Sequence, residues 1–252
     1  MGAAAVRRLA TVVVCAAAWP VGPAAAEPFV DAYFGKSSLQ SSDVRIEQSD
    51  LGNSFRFRDV KFDDDSFESP PVYGLRAGYF FEQLPWLGVA LDFVHFKIIG
   101  DTSEVKPLVG TRNGVAVDTT ARVDSIVQQF QVTHGVNYLT VNVLARYGFL
   151  EDPVEFPRGR VQLYGGAGVG PVIAHTENRV DGLKNREGYE VAGTGLQVFV
   201  GVRALLFKYL GVFVEYRFTR SELTVDLARG KGRVDENTHH IFGGITVPLP
   251  SF

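Results

Sequence analysis

At 252 residues, with 46% hydrophobic and 21% charged side chains, the chain is too apolar for a disordered tail. A formal charge of −3 excludes a nucleic-acid binder that works through a basic face. The single cysteine, Cys15, excludes a disulfide framework and a cysteine metal site.

In chain order the first element is a secretory signal over residues 1–26. Arg7 and Arg8 precede an apolar run from Leu9 to Ala18, and the small-residue stretch Ala24-Ala25-Ala26 offers a cleavage site before Glu27. The apolar run is about half the roughly 20 residues of a spanning helix. Val12-Val13-Val14 before Cys15 does not match a lipidation signal. Cleavage after Ala26 leaves 23 basic against 28 acidic residues, a formal −5, and no thiol.

The rest, 27–252, reads as one domain of strands about ten residues long, the length of a tilted transmembrane strand. The first, Phe29 to Gly35, sets Val30, Ala32 and Phe34 against Asp31 and Tyr33. A long polar segment, Ser37 to Pro70, follows. Within it Phe55, Phe57, Val60 and Phe62 alternate with charged residues and predict a protruding hairpin.

The second strand, Val72 to Phe81, and the third, Leu87 to Lys97, are joined by a tight turn through Pro85 and Trp86. A second long loop returns near Phe130. The fourth strand is His134 to Tyr147 and the fifth Val161 to Ile173, separated by a modest turn with Asp152 and Pro157. After a polar loop near Asp181 to Gly188 comes a hairpin, Leu196 to Phe218. One of its faces carries Leu196, Val198, Val200, Val202, Val212, Val214 and Tyr216, and the other Arg203, Glu215 and Arg217. The eighth strand is His239 to Leu249.

Eight strands with alternating long and short connections predict an all-β fold, an eight-stranded antiparallel up-and-down transmembrane β-barrel. Both termini then lie in the periplasm of a cell whose outer membrane it spans. The rival with the same period is a soluble lipocalin-like carrier, in which the apolar faces turn inward around a ligand. The polar faces separate the two. They carry about one charge per strand and many glycines, which suits a narrow lumen better than a solvated exterior.

Charges inside such a lumen must be paired. The inferred set is Arg76, Arg146, Arg203 and Arg217 against Asp31, Asp92 and Glu215, with Arg76–Asp92 and Arg203–Glu215 as cross-strand pairs. Phe199, Phe213 and Phe242 share this interior, so an open diffusion channel is not expected. Phe80, Phe81, Trp86, Tyr147, Phe149, Phe207, Tyr209 and Phe252 are assigned to an interfacial girdle at the periplasmic end.

The mature chain, ending on phenylalanine, resembles the small outer-membrane protein A, X and opacity-protein barrels. That resemblance implies a surface or envelope role without catalysis. It also implies outer-membrane lipid, lipopolysaccharide and the outer-membrane assembly machinery as partners, and no nucleic acid. No cofactor is expected on this reading.

A narrower resemblance rests on Tyr73-Gly74-Leu75-Arg76, Leu91-Asp92-Phe93-Val94-His95-Phe96-Lys97, His134-Gly135-Val136-Asn137, Gly166-Ala167-Gly168-Val169-Gly170-Pro171 and Glu215-Tyr216-Arg217. These stretches are similar, in this order, to lipid A oxidase barrels. The family implies an enzyme that uses oxygen and a divalent metal on a lipid A glucosamine, and this is the alternative function. Its catalytic residues are not carried over.

His95, His134, His175, His239 and His240 all fall at the predicted extracellular ends of strands. With Glu177 or Asp92 nearby they are candidates for a metal at the rim. The competing account is that polar residues are tolerated where strands leave hydrocarbon. His239 and His240 are adjacent in a strand and must face opposite ways. No Gly-x-Ser-x-Gly elbow, His-Glu-x-x-His or phosphate loop is present. Gly166-x-Gly168-x-Gly170 sits within a strand with no following helix. A barrel lipase, which needs a rim serine beside a histidine and would use Ser221 or Ser125, is the last catalytic alternative.

Overall fold

The computed structural model describes residues 26–250, without the side chains of Ala26, Thr133 and His134. The predicted signal up to residue 25, with Cys15, and Phe252 of the girdle lie outside the described residues. Eight long strands form the barrel: β1 (Ala26–Leu39), β2 (Tyr73–Phe81), β3 (Leu87–Gly100), β4 (Val127–Phe149), β5 (Val161–His175), β6 (Tyr189–Phe207), β7 (Leu210–Asp226) and β8 (Lys231–Pro248). Each pairs antiparallel with its sequence neighbour, and β8 pairs with β1 from Phe29↔Pro248 to Leu39↔Thr238. Closure leaves the barrel strands no free edge in the apolar zone, so the barrel's backbone groups are met inside the sheet.

Which face is outside follows from exposure. Leu196, Val198, Val200 and Val202 on β6, and Val212, Val214 and Tyr216 on β7, are all exposed, as are Leu139, Val141 and Val143 on β4. Facing inward and buried are Asp31, Arg76, Asp92, Gln197, Arg203, Glu215 and Arg217. An apolar exterior over a polar, packed interior is the arrangement for hydrocarbon, and the lipocalin-like alternative, which requires the reverse, fails here.

Near the long loops the pattern inverts. Leu223 and Val225 on β7 and Val234 on β8 point inward, buried, while Arg220, Glu222 and Asp226 point outward, exposed. The strands have left the apolar zone and follow the rule of a soluble sheet, apolar inside and polar outside. Their inner faces pack against Val44, Ile46, Phe55 and Phe57, which come from the predicted loop hairpin, Ser42–Gln48 with Asn53–Val60. That hairpin continues the sheet of β8 through Arg233↔Arg45. A second hairpin, Val105–Arg112 with Val115–Arg122, extends it further. Sequence reading treats that stretch only as a loop, because Pro107 and Gly110 interrupt its alternation.

Lys61 and Lys106 flank Glu104 in these loops at 2.7 and 2.8 Å. Lys106 first, then Lys61, holds the Glu104 carboxyl below the usual glutamate range. A depressed folded value means that the contribution is present above the unfolded value and lost as pH falls through the folded one. Carboxyl NMR should therefore show a Glu104 midpoint below that of a model peptide. A midpoint at or above it would mean that the two lysines do not engage Glu104 in solution.

Glycines on the inner face make room for large neighbours. A Cβ on Gly74 would run into the Tyr33 ring across the β1–β2 pair, and one on Gly168 would run into the Asn142 amide oxygen. The glycine-rich stretch of β5 is thus a packing surface for the β4 side chains.

Candidate functional site

The sequence-predicted lumen charges do meet, in a layer across the barrel centre. Arg76 reaches three strands: its Nε donates to Asp92 at 2.9 Å, its Nη2 to Glu215 at 2.8 Å, and its Nη1 to Asp31 at 3.4 Å. Arg217 donates to Glu215 at 2.6 Å and to Asp92 at 3.0 Å. The Tyr33 hydroxyl donates to Asp92 and accepts from Arg217 at 3.0 Å. Arg76 and Arg217 also lie over the Phe199 ring at 4.3 and 5.2 Å. Three arginines and three carboxylates balance, which is what allows them to be buried together.

Two expectations change. Arg203 does not pair with Glu215: it donates to Asp31 at 3.1 Å, and Glu215 belongs to Arg76 and Arg217. The register explains this, since Glu215 lies opposite Gly201 while Arg203 lies opposite Phe213, two residues nearer the short turns. A narrow lumen lets side chains reach across it, so adjacency on the sheet does not choose partners. Arg146 is not in the central layer. It donates to Glu27 and to the Pro85 carbonyl at the short-turn mouth, with its guanidinium 3.9 Å above Phe80. Phe80 is consequently buried inside and is no part of the girdle, whereas Trp86, Tyr147, Phe149, Phe207 and Tyr209 are exposed as expected.

Above the ion layer sits a second buried cluster that sequence reading misses. Glu236 accepts from Tyr138, Thr238, Thr219 (2.8 Å) and Ser221 (3.1 Å), and Thr219 also shares a hydrogen bond of 3.0 Å with His240 Nε2. Ser37 Oγ shares one of 2.8 Å with His240 Nδ1. Hydroxyl, imidazole and carboxylate are close here, but Glu236, Thr219 and His240 are buried, so no substrate reaches them. The inward parity of Glu236, Thr238, His240 and Phe242 is the signal that would have located them; the polar run before His239 obscures the strand. The lipase alternative finds no support: Ser221 faces Glu236, and the Ser125 hydroxyl donates to the Arg122 carbonyl at 2.6 Å.

The rim histidines are not brought together. His240 faces the lumen, while His239 faces out, beside Gln40 and Tyr216. His175 packs edge-on against Tyr189. Glu177 starts the short strand Glu177–Val180 beside β4, and the His134 side chain is outside the described residues. Asp92 is engaged in the ion layer and pairs with no imidazole. Among the described residues no group of three His, Cys, Asp or Glu side chains is placed to hold a metal ion. The described rim side chains therefore do not assemble a divalent metal site of the kind that the lipid A oxidase resemblance implies.

His95 has a defined tautomer. The Asn137 amide nitrogen donates to the Gly135 and Ile173 carbonyls, which leaves its oxygen to accept from His95 Nδ1 at 2.9 Å. The lone pair is then on Nε2, buried in a cleft of the outer wall beside Tyr73, Phe93 and Tyr189. The ring is stacked on Tyr73 at 5.0 Å.

A family model agrees with this architecture. Residues 11–241 match the model of the outer membrane protein beta-barrel domain. Among solved structures the chain is similar to Neisserial surface protein A (11% identity, 88% of this chain and 97% of that chain, TM-score 0.41). It is also similar to the outer membrane protease OmpT from Escherichia coli (9%, 88% and 97%, 0.49) and to OprG from Pseudomonas aeruginosa (14%, 90% and 98%, 0.42). No curated protein sequence matches the chain. A family model that spans nearly the whole chain, on a closed barrel with an apolar exterior and a filled polar lumen, assigns the protein: it belongs to the outer membrane protein β-barrel family.

Proposed function

We propose that the protein is a non-conducting surface barrel whose work is done by its long-loop end. That end faces the cell exterior; the short turns and both termini face the periplasm. In this reading residues 1–26 are a signal removed on export, and the outer-membrane assembly machinery inserts the remainder. The observation that carries the reading is the filled lumen. Arg76 and Arg217 are buried at 1% and 0% exposure at the barrel centre, the Glu236 cluster lies above them, and an apolar core of loop and strand residues caps both. A solute has no route through such a stack, whereas the loop hairpins present a broad polar surface beyond the apolar belt.

Protease added to intact cells tests the orientation. Cleavage should fall in the loops, for example after the exposed Phe67, and spare the turn near Leu150 until the envelope is opened. Cutting at Leu150 in intact cells would invert the orientation. Purified protein in planar bilayers should give no stepwise conductance; regular open-channel steps would overturn the non-conducting reading.

A further inference from the structure

The sheet of β8 runs on through the loop strands Ser42–Gln48, Asn53–Val60 and Val105–Arg112 and stops at Val115–Arg122, which pairs with no further strand among the described residues. The barrel closes, but its loop sheet ends on a free edge. The last strand keeps one register from Arg112↔Val115 to Val105↔Arg122, without a bulge, and six of its eight residues are exposed. Val117 and Ala121 are half-buried against the core.

The turn decides which backbone groups this edge offers. Asn113 and Gly114 both have positive φ, 50° and 77°, as in the two-residue hairpin turn whose flanking pair, here Arg112↔Val115, is hydrogen-bonded. Pairs alternate from there, so Val115, Val117, Thr119 and Ala121 spend their N–H and C=O groups on the neighbouring strand, and Ala116, Asp118 and Thr120 turn theirs outward. No main-chain bond among the described residues meets them. Edge strands in water are commonly blunted by proline, lysine or a bulge, and Val-Ala-Val-Asp-Thr-Thr-Ala-Arg has none of these.

We propose that this edge pairs with the same strand of a second copy of the protein, antiparallel about a two-fold axis at Thr119. Asp118 then exchanges both main-chain bonds with Thr120 of the second copy, Val117 lies opposite Ala121, and the two Thr119 side chains meet. Arg122 lies diagonal to Asp118 of the second copy, within reach of its long side chain, so the charges are complementary. Other registers do worse. An axis at Asp118 sets two carboxylates directly opposite each other, an axis at Val117 or Thr120 shortens the ladder, and an axis between residues opposes side chains that point to different faces. The ladder joins only residues 116–122 of each copy, less than a standard interface, so the association is weak and grows with density at the cell surface. It deepens the proposed role of the loop end and rests on that end lying in water.

Sedimentation equilibrium of the whole protein folded in detergent micelles tests this. A reversible monomer–dimer equilibrium is expected, with a Kd of about 10–100 µM. Thr120→Pro removes an outward N–H, leaves the hairpin's own bonds intact, and should weaken the dimer about tenfold or more. An independent measurement does not rely on the proline variant. On a Cys15→Ser background, mild oxidation should link Thr119→Cys into a dimer far faster than Val115→Cys, which is also exposed but lies away from the axis. Heat-dependent electrophoretic mobility verifies that each variant is folded. A protein that stays monomeric at about 200 µM, a dimer that Thr120→Pro leaves unchanged, or equal linking at the two cysteines would overturn the proposal. So would a monomer whose edge takes up only strands of foreign peptides. All of this is read in micelles, so none of it depends on which side of the envelope the loops face, which the protease experiment decides.

Discussion

Arg217→Met should destabilise the barrel by about 3–5 kcal/mol, read from urea unfolding in lipid vesicles, because it leaves buried carboxylates without their partner. Arg217 holds Asp92 at 3.0 Å and Glu215 at 2.6 Å, and both carboxylates are sealed from water. Arg76 still touches each of them, but one guanidinium beside two carboxylates leaves a net buried negative charge. Two companions make the test specific. Arg217→Lys should recover only part of the loss, since a single ammonium cannot replace the forked contacts to Asp92, Glu215 and the Tyr33 hydroxyl. Combining Arg217→Met with Asp92→Asn restores charge balance and should cost less than the sum of the two single changes, with a coupling of roughly 1–3 kcal/mol. Strict additivity would show that the six charges act independently and that the layer is not a network.

The barrel was legible because its period and its solvent both constrain the sequence. In hydrocarbon the strand must close and alternate, so Leu196 to Val202 and Val212 to Tyr216 declare their face residue by residue. The interior charges were legible for the same reason: Asp31, Arg76, Asp92, Arg203, Glu215 and Arg217 occupy the complementary parity, and all six are found in one layer. Partner choice was not. Strand adjacency matches Arg203 to Glu215, but the lumen is narrow enough for contacts across it, and those depend on level along the axis. The strand ends were also short in the sequence reading. Above the apolar belt β7 and β8 continue to Asp226 and from Lys231, with polar residues outward, and a polar run beside a turn looks like loop. That is why Glu236 and Tyr138, which organise the upper lumen, do not stand out in the sequence, and why the histidines read as one rim although His240 faces the lumen and His239 faces out.

The belt itself can be measured at one pair of positions on a shared face. Val200→Arg should cost about 2–4 kcal/mol in a bilayer, the penalty for arginine near the midplane. Val200 is half exposed, lies opposite Tyr216 on β7, and sits midway between Leu196 at the loop side and Ala204 at the turn side. On the same outward face Arg220 lies opposite Leu196, where the alternation has begun to carry charge, and Arg220→Val should change stability by less than about 0.5 kcal/mol. The contrast matters more than either value. A strand that merely needed an apolar outer face would respond alike at both sites, whereas a membrane boundary between residues 200 and 220 makes the first costly and the second silent. Thinner bilayers sharpen the reading: the Val200→Arg penalty should shrink as the charge comes nearer the headgroups, while Arg220→Val stays flat. A penalty that does not vary with bilayer thickness would place the cost in the fold of the β6–β7 hairpin and not in the lipid around it.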